Sequence, residues 1–384
     1  MTIIRQTDLG AIAVEAEQPV PAPRAGALLS VIVPTFNEID NVAELVRLLD
    51  LALAEIAWEV IFVDDDSTDG TAASIRSLAR IDGRVRCILR IGRRGLASAC
   101  VEGMLASSAP YLAVMDADLQ HDERILPAML AELQKGKLDI VVGSRYVAGG
   151  GADWVGGRAL MSRFATRLSR MVVRAELADP MSGYFMMRRE AFMTTVRGLS
   201  AIGFKILLDL FASAPGPLSF QEIPYRFRER RAGDSKLDSN VIWAYGLLLL
   251  DKRIGRYVPV RFLSFSIIGG FGVLIHMSVL AVALGPMALG FKWAQATATL
   301  TAMTVNFLLN NRLTYRDRRL TGLRQLRGLL GFYAACGLGA VANVGVASAI
   351  FERRHQWWLA GVAGILISAV WNYAATSNFI WRRK

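Results

Sequence analysis

The sequence predicts two unlike parts: an α/β domain around a mostly parallel sheet, and an all-α domain suited to a bilayer. Three observations carry this. Between Leu29 and about Phe227, short apolar runs alternate with longer helical segments. Beyond residue 260, four segments of roughly 20 residues or more are largely apolar. Charge divides in the same place: from Arg256 onward there are 14 Lys and Arg against 2 Asp and Glu, while the first 255 residues hold 30 basic and 31 acidic side chains. At 384 residues and 53% hydrophobic content the chain has room for both parts. Its net +11 belongs to the last third, so no nucleic-acid partner is predicted.

Residues 1–27, mixed polar, Ala and Pro, read as a flexible, loosely attached tail rather than a signal peptide. The runs LSVIVP (29–34), EVIFVD (59–64), VRCIL (85–89), YLAVMD (111–116) and DIVVG (139–143) are nearly unbroken apolar stretches. Strands covered on both faces look like this. Segments near 40–56, 69–81, 95–106 and 123–134 supply helices between them. Such βαβ alternation predicts that functional residues collect past the carboxyl ends of the strands.

Two segments read as interfacial. In 158–174, Leu160, Met161, Phe164, Leu168, Met171 and Val172 share one helical face, and five arginines run from Arg158 to Arg174. A basic amphipathic helix of this kind lies in the lipid headgroup plane, with an ordinary surface helix as the plainer alternative. In Val241–Ile254 the apolar run Trp243–Leu250 is too short to span a bilayer, and the expectation is a second interfacial helix over 236–258.

The segments 262–284, 288–309, 329–351 and 357–380 are expected to be four transmembrane helices. The connection 310–327 carries Arg312, Arg316, Arg318, Arg319, Arg324 and Arg327, which places it and the soluble domain on the cytoplasmic side. The region also repeats itself. Gly270-Phe271-Gly272 returns as Gly337-Leu338-Gly339, and Asn306-Phe307 with Tyr315-Arg316 returns as Asn372-Tyr373 with Trp381-Arg382. Duplication of a hairpin is one reading; shared membrane composition is the other. Cys87, Cys100 and Cys336 form neither a disulfide framework nor a metal-ligand spacing, which fits a reducing compartment.

Chemistry concentrates at three strand ends. In MDADLQH (115–121), Asp116 and Asp118 bring two carboxylates to a sheet edge, where a divalent cation can bridge protein and diphosphate. After the first strand stands PTFNE (34–38), and after the second VDDDSTDGT (63–71). There Asp64 and Asp65 can accept bonds from a base or ribose, and Ser67, Thr68 or Asp69 can cap the next helix. Either motif alone reads as ordinary turn chemistry.

With these motifs in order, the chain resembles the dolichyl-phosphate mannose synthases, inverting family 2 glycosyltransferases with a GT-A (Rossmann-like) catalytic domain. The resemblance covers about residues 29–255 and also includes GLASA (95–99), GSRYVAGGG (143–151), DPMSGYF (179–185), GFKILLDL (203–210) and RRAGDSKL (230–237). Residues 260–384 resemble the GtrA-like four-helix membrane domains. The implied organisation is a 28–235 GT-A domain including an interfacial helix at about 155–175, then 236–258, then a 259–384 membrane domain.

The resemblance implies roles for named residues. Pro34, Phe36, Glu38 and Asp65 would hold the nucleoside. Asp116, Asp118 and Gln120 would bind Mg²⁺ or Mn²⁺ with the donor diphosphate. Arg145, Arg158 and Ser162 would grip the lipid phosphate, and Arg230 and Lys236 would close over the diphosphate. The implied partners are GDP-mannose, a polyprenyl or dolichyl phosphate, membrane lipids, and a second copy through the membrane domain; the implied place is the cell membrane. A UDP-glucose-dependent transferase and a lipid-sugar flippase subunit are the alternatives. Where glucose-using relatives carry Asn-Phe-Gly-Lys and Gly-Asp-Phe-Arg, this chain has IGRRGLA and DPMSGYF. GLA replaces Gly-Leu-Gly at 95–97, and Asp122 stands where the family often has proline, adding negative charge beside the metal site.

Overall fold

The structure, a computed structural model, describes residues 26–152, 175–200, 205–228, 239–255, 258–354 and 357–382. The first strands, β1 (Leu29–Thr35), β2 (Trp58–Asp64) and β3 (Val85–Leu89), run parallel, joined through α1 (Ile39–Ala52) and α2 (Thr71–Ile81). The chain then crosses by α3 (Leu96–Ala106) to β4 (Tyr111–Val114), which pairs with the opposite edge of β1. A 3₁₀ turn, Glu123–Ile125, and α4 (Leu126–Gln134) lead to β5 (Ile140–Ser144). Next come β6 (Gly151–Ala152), β7 (Phe185–Arg188), α5 (Arg189–Thr195), α6 (Ile206–Ser213), β8 (Phe220–Pro224) and β9 (Arg226–Phe227).

The large sheet has the order β3-β2-β1-β4-β7-β5-β8, with β7 antiparallel to both neighbours and the other pairs parallel. Strand order therefore reverses between β1 and β4, and ligands of open α/β sheets bind in the crevice outside such a reversal. Successive residues of β1 serve opposite faces: Val31 and Val33 join one core, and Ile32 joins the other. This two-sided burial is why the strands read as unbroken apolar runs. On one face α3 lies so close that a β-carbon at Gly103 would stand 2.7 Å from Ile32 Cγ2.

Helix α7 (Ser239–Ile254) docks on this domain. Leu248 is buried in its second core, and Lys252 pairs with buried Asp209 on α6 at 2.5 Å. Part of the apolar run expected at the interface, Leu248 and Leu249, packs against the α/β domain.

The remainder is helical: α8 (Val260–Leu284), α9 (Phe291–Leu309), α10 (Gly322–Arg354) and α11 (Trp357–Ala375). Among the described residues, α8 is long and apolar enough to cross a membrane, with a mean hydropathy of 2.3 over its best window. Helix α10 starts at Gly322 and runs 33 residues, well before the expected 329. Arg324 and Arg327, expected in a loop, therefore sit on its first turns, which Gly322 opens at φ +56°.

The two hairpins repeat the same devices in the same order. Each second helix ends in a π turn, Asn310–Thr314 and Thr376–Ile380. In each, an asparagine fills the space left by a glycine: a β-carbon on Gly272 would collide with the Asn306 amide, and one on Gly339 with Asn372. The rings that follow the π turns, Tyr315 and Trp381, stack at 4.1 Å and 5°. With Phe265, Phe307 and Phe332 they form one aromatic core shared by both hairpins. The sequence repeat therefore reflects a structural one.

Candidate active site

Each of the three motif-bearing strand ends contains one non-glycine residue at positive φ: Asn37 after β1, Asp66 after β2 and Leu119 after β4. For Leu119 this conformation is costly, and strain of this sort collects at sites that must present particular groups. It turns the chain between Asp118 and Gln120, and the Gln120 N–H donates to Asp118 Oδ1 at 3.2 Å.

The first two loops are laced together. Asn37 donates its N–H to Ser67 Oγ, Thr68 donates its N–H to Asn37 Oδ1, and Glu38 donates its N–H to Thr71 Oγ1. Asp69 accepts from Ile39 N at 3.2 Å and from Thr71 N at 2.9 Å, so one carboxylate caps both α1 and α2. Asp64 holds Ser67 through N and Oγ.

Asp65, expected at the nucleoside, is engaged by Arg90 Nη1 at 2.8 Å and by the Gly95 N–H at 2.6 Å. Burial pushes its carboxyl pKa up, against the opposing pull of the Gly95 N–H and Arg90. Its present work is to hold the GLA turn, where Gly95 has φ +151°. Phe36 is covered by the Arg94 guanidinium, 4.1 Å from its centroid. Pro34, next to the end of β1, lies opposite Val63, and Glu38 accepts from Asn41 Nδ2 at 2.8 Å.

Beside β4, Asp118 is 7% exposed and the Asp116 side chain 35%. The Asp116 N–H donates to His121 Nδ1 at 3.0 Å, and the buried His121 ring stacks on Tyr184 at 4.8 Å. His121 thus positions the motif, and burial depresses its pKa. Gly183 leaves room above Asp116, since a β-carbon there would stand 3.4 Å from Oδ2. Among the described residues, no three His, Cys, Asp or Glu side chains converge to cage a metal. The expected ligands, the Asp116 and Asp118 carboxylates and the Gln120 amide oxygen, would make an all-oxygen set, incomplete by itself. That fits a hard divalent cation that completes its shell from diphosphate and water.

Arg228 ties the next segment to this turn. Its N–H donates to Gln120 O, while Gln120 Nε2 donates back to Arg228 O, both at 3.0 Å. Its guanidinium bridges Asp122 at 2.8 Å and Glu123 at 2.7 Å. Asp122 also binds Arg124 at 2.8 Å. The added charge expected from Asp122 is thus matched by two arginines rather than offered to a metal. Arg230 and Lys236 follow Arg228 directly but lie outside the described residues, as do Arg158, Ser162 and most of the expected helix at 155–175.

Arg145, at the end of β5, meets Asp179 in a bidentate pair of 2.7 and 2.9 Å. Asp179 is fully buried, and its own partners place it: Glu222 Oε1 accepts its N–H at 3.0 Å. Burial works against the Arg145 charge, and the Asp179 bonds more than offset that, raising its pKa. Lys205 donates to Met181 O at 3.1 Å. Desolvation first, then the nearby Arg145 charge, lower its pKa to about 8. Asp179, Lys205 and Arg228 went unassigned in the sequence, although two of them stand inside the DPMSGYF and GFKILLDL matches.

Two family models match the chain: Glycosyl transferase family 2 over residues 30–195, and GtrA/DPMS, transmembrane domain, over residues 264–381. Among curated proteins, a dolichol-phosphate mannosyltransferase of Pyrococcus furiosus is 32% identical over 92% of this chain and 99% of its own length. Its counterpart from Mycosarcoma maydis is 37% identical over 66% of this chain and 85% of its own. Among solved structures, glucosyl-3-phosphoglycerate synthase from Mycobacterium tuberculosis aligns at 17% identity and TM-score 0.45, covering 59% of this chain and 78% of that one.

Proposed function

Because the chain belongs to the dolichol-phosphate mannosyltransferases, a family of glycosyltransferases, we propose that it moves mannose from GDP-mannose to a polyprenyl phosphate at the cytoplasmic face of the cell membrane. What supports this is that the Asp116–Asp118 turn follows the strand at the reversal of order, next to the laced loops after β1 and β2, while the Arg145–Asp179 pair lies within electrostatic reach of His121 in that turn.

Pro34, Phe36, Glu38 and Asp65 line the nucleoside end, with Arg94 a further group over Phe36. Asp116, Asp118 and Gln120 would hold Mg²⁺ or Mn²⁺, which when bound offsets charge on the diphosphate. Arg145, with Arg158 and Ser162, receives the acceptor phosphate, whose charge a guanidinium fork matches. The pinned Gln120–Arg228 backbone launches the segment bearing Arg230 and Lys236 from directly beside the diphosphate.

Transfer is a single displacement. An acceptor phosphate oxygen forms a bond to the anomeric carbon, the bond from that carbon to the diphosphate oxygen breaks, and its electron pair leaves with GDP. The configuration inverts. No base is required, since a phosphate monoester with a second pKa near ~6 is largely a dianion at neutral pH. The protein's task is to align two anions that repel, and cationic side chains do this. The helices beyond residue 259 form the anchor, with four spans and the soluble part in the cytoplasm.

The purified full chain, given polyprenyl phosphate and Mn²⁺, is expected to form mannosyl lipid from GDP-mannose and little product from UDP-glucose. Product from UDP-glucose alone would overturn the donor, and product from neither would favour a transport role.

Lys205 sets an expected pH dependence. Its pKa of about 8 leaves it cationic below that pH and neutral above it. kcat/KM for the lipid acceptor should fall as pH rises through 8, and Lys205→Arg should move that loss to higher pH. An unchanged alkaline limb in the variant would show that the Lys205 charge, felt beside Arg145 and Asp116, does not bear on acceptor use.

A further inference from the structure

A groove of about 590 Å³ opens between α10 and α11 and the π turn that follows α11. Gly328, Gly331 and Ala335 floor it, and Trp371 and Phe379 wall it. Trp371 is fixed there by Nε1 donating to Ala335 O at 3.1 Å. Phe379 is 85% exposed, so the wall faces outward. At one end the groove meets Arg324 and Arg327, both exposed and without a carboxylate partner among the described residues.

The other hairpin repeats the same devices with different side chains at the equivalent positions. Eight and four residues before the glycine that meets the asparagine, the first hairpin has Ser264 and Ile268, both buried, and the second has Gly331 and Ala335. Ser264 uses its space to bond Thr314 at 2.6 Å. The second hairpin leaves the same space open and adds two cations at its mouth. A four-helix anchor alone needs neither departure.

We propose that this groove is a second site for a single-chain isoprenoid phosphate, apart from the transfer site. The proposal rests on the chain being a polyprenyl-phosphate transferase. Two guanidinium groups match a monoester carrying about −1.5 to −2 charge better than they match a singly charged diester. From Arg324 to Leu338 the helix rises about 21 Å, enough to run from headgroup depth through one leaflet of a ~30 Å core. One narrow lane of small residues suits one chain, where a glycerolipid brings two. Such a site keeps acceptor lipid at the enzyme between turnovers.

Native mass spectrometry of the full chain with undecaprenyl phosphate tests this. The wild type should retain two lipids, and Arg324→Gln/Arg327→Gln should retain one. Gly331→Leu should also retain one, since its β-carbon finds ordinary contact, 3.6 Å from Ile380, and its branch fills the lane. Both variants should keep wild-type kcat at saturating acceptor. A wild type holding one lipid, groove variants still holding two, or displacement of the groove lipid by an equal concentration of phosphatidylglycerol would each overturn the proposal. Failure of the transferase reading shows separately, as absent mannosyl transfer by the wild type whatever the lipid count.

Discussion

Asp118→Ala is expected to lower mannosyl transfer by about 10³-fold or more while leaving the fold in place. A bound cation contributes several kcal/mol of charge stabilisation in reactions of this class, and each 1.36 kcal/mol is about tenfold in rate. Asp118 is nine-tenths buried at the carboxyl edge of β4, so its oxygens are aimed rather than solvated. Structurally it accepts the Gln120 N–H, and losing one such bond costs on the order of 1 kcal/mol. Thermal melts should therefore move little, Mn²⁺ affinity should collapse, and radiolabelled mannosyl lipid should vanish. Turnover near the wild-type rate would sink the metal-assisted reading.

The largest expected effect on stability belongs to Asp179→Ala. The substitution strands Arg145, whose side chain is 10% exposed, without its bidentate partner. Removing one member of a buried pair costs about 3–5 kcal/mol, because the remaining charge stays desolvated. Glu222 belongs to the same network, its carboxylate accepting the Ala178 and Asp179 N–H groups. The catalytic domain should melt several degrees lower, and KM for the lipid acceptor should rise as the guanidinium loses its orientation. Pairing the change with Arg145→Met should recover part of the stability but none of the acceptor binding. Additive losses in the double variant would show that the two residues do not act together.

Much of the catalytic fold was legible because burial on both faces leaves a one-dimensional trace. LSVIVP and VRCIL announced β1 and β3 within a residue or two. Strand β7 left no such trace: four residues, FMMR, complete a motif and insert antiparallel between β4 and β5. Its place depends on pairing partners far away in the chain, which periodicity does not encode. Asp116, Asp118 and Gln120 stood out because metal chemistry dictates residue types at close spacing. Asp179 and Arg228 did not, since they work on partners 34 and 105 residues distant. Asp65 was legible as a carboxylate at a strand end, but its use by Arg90 and Gly95 was not. In the helical part hydropathy outlined the four helices and missed both π turns.

The stacked Tyr315 and Trp381 give those hairpins a common floor that neither half has alone. Placing both on one polypeptide replaces an encounter between two molecules by the closing of a short tether, with local concentrations of order mM for such links. Assembly of the anchor then proceeds at the same rate however dilute the protein is in the bilayer, and a chain severed near residue 320 would lose that independence.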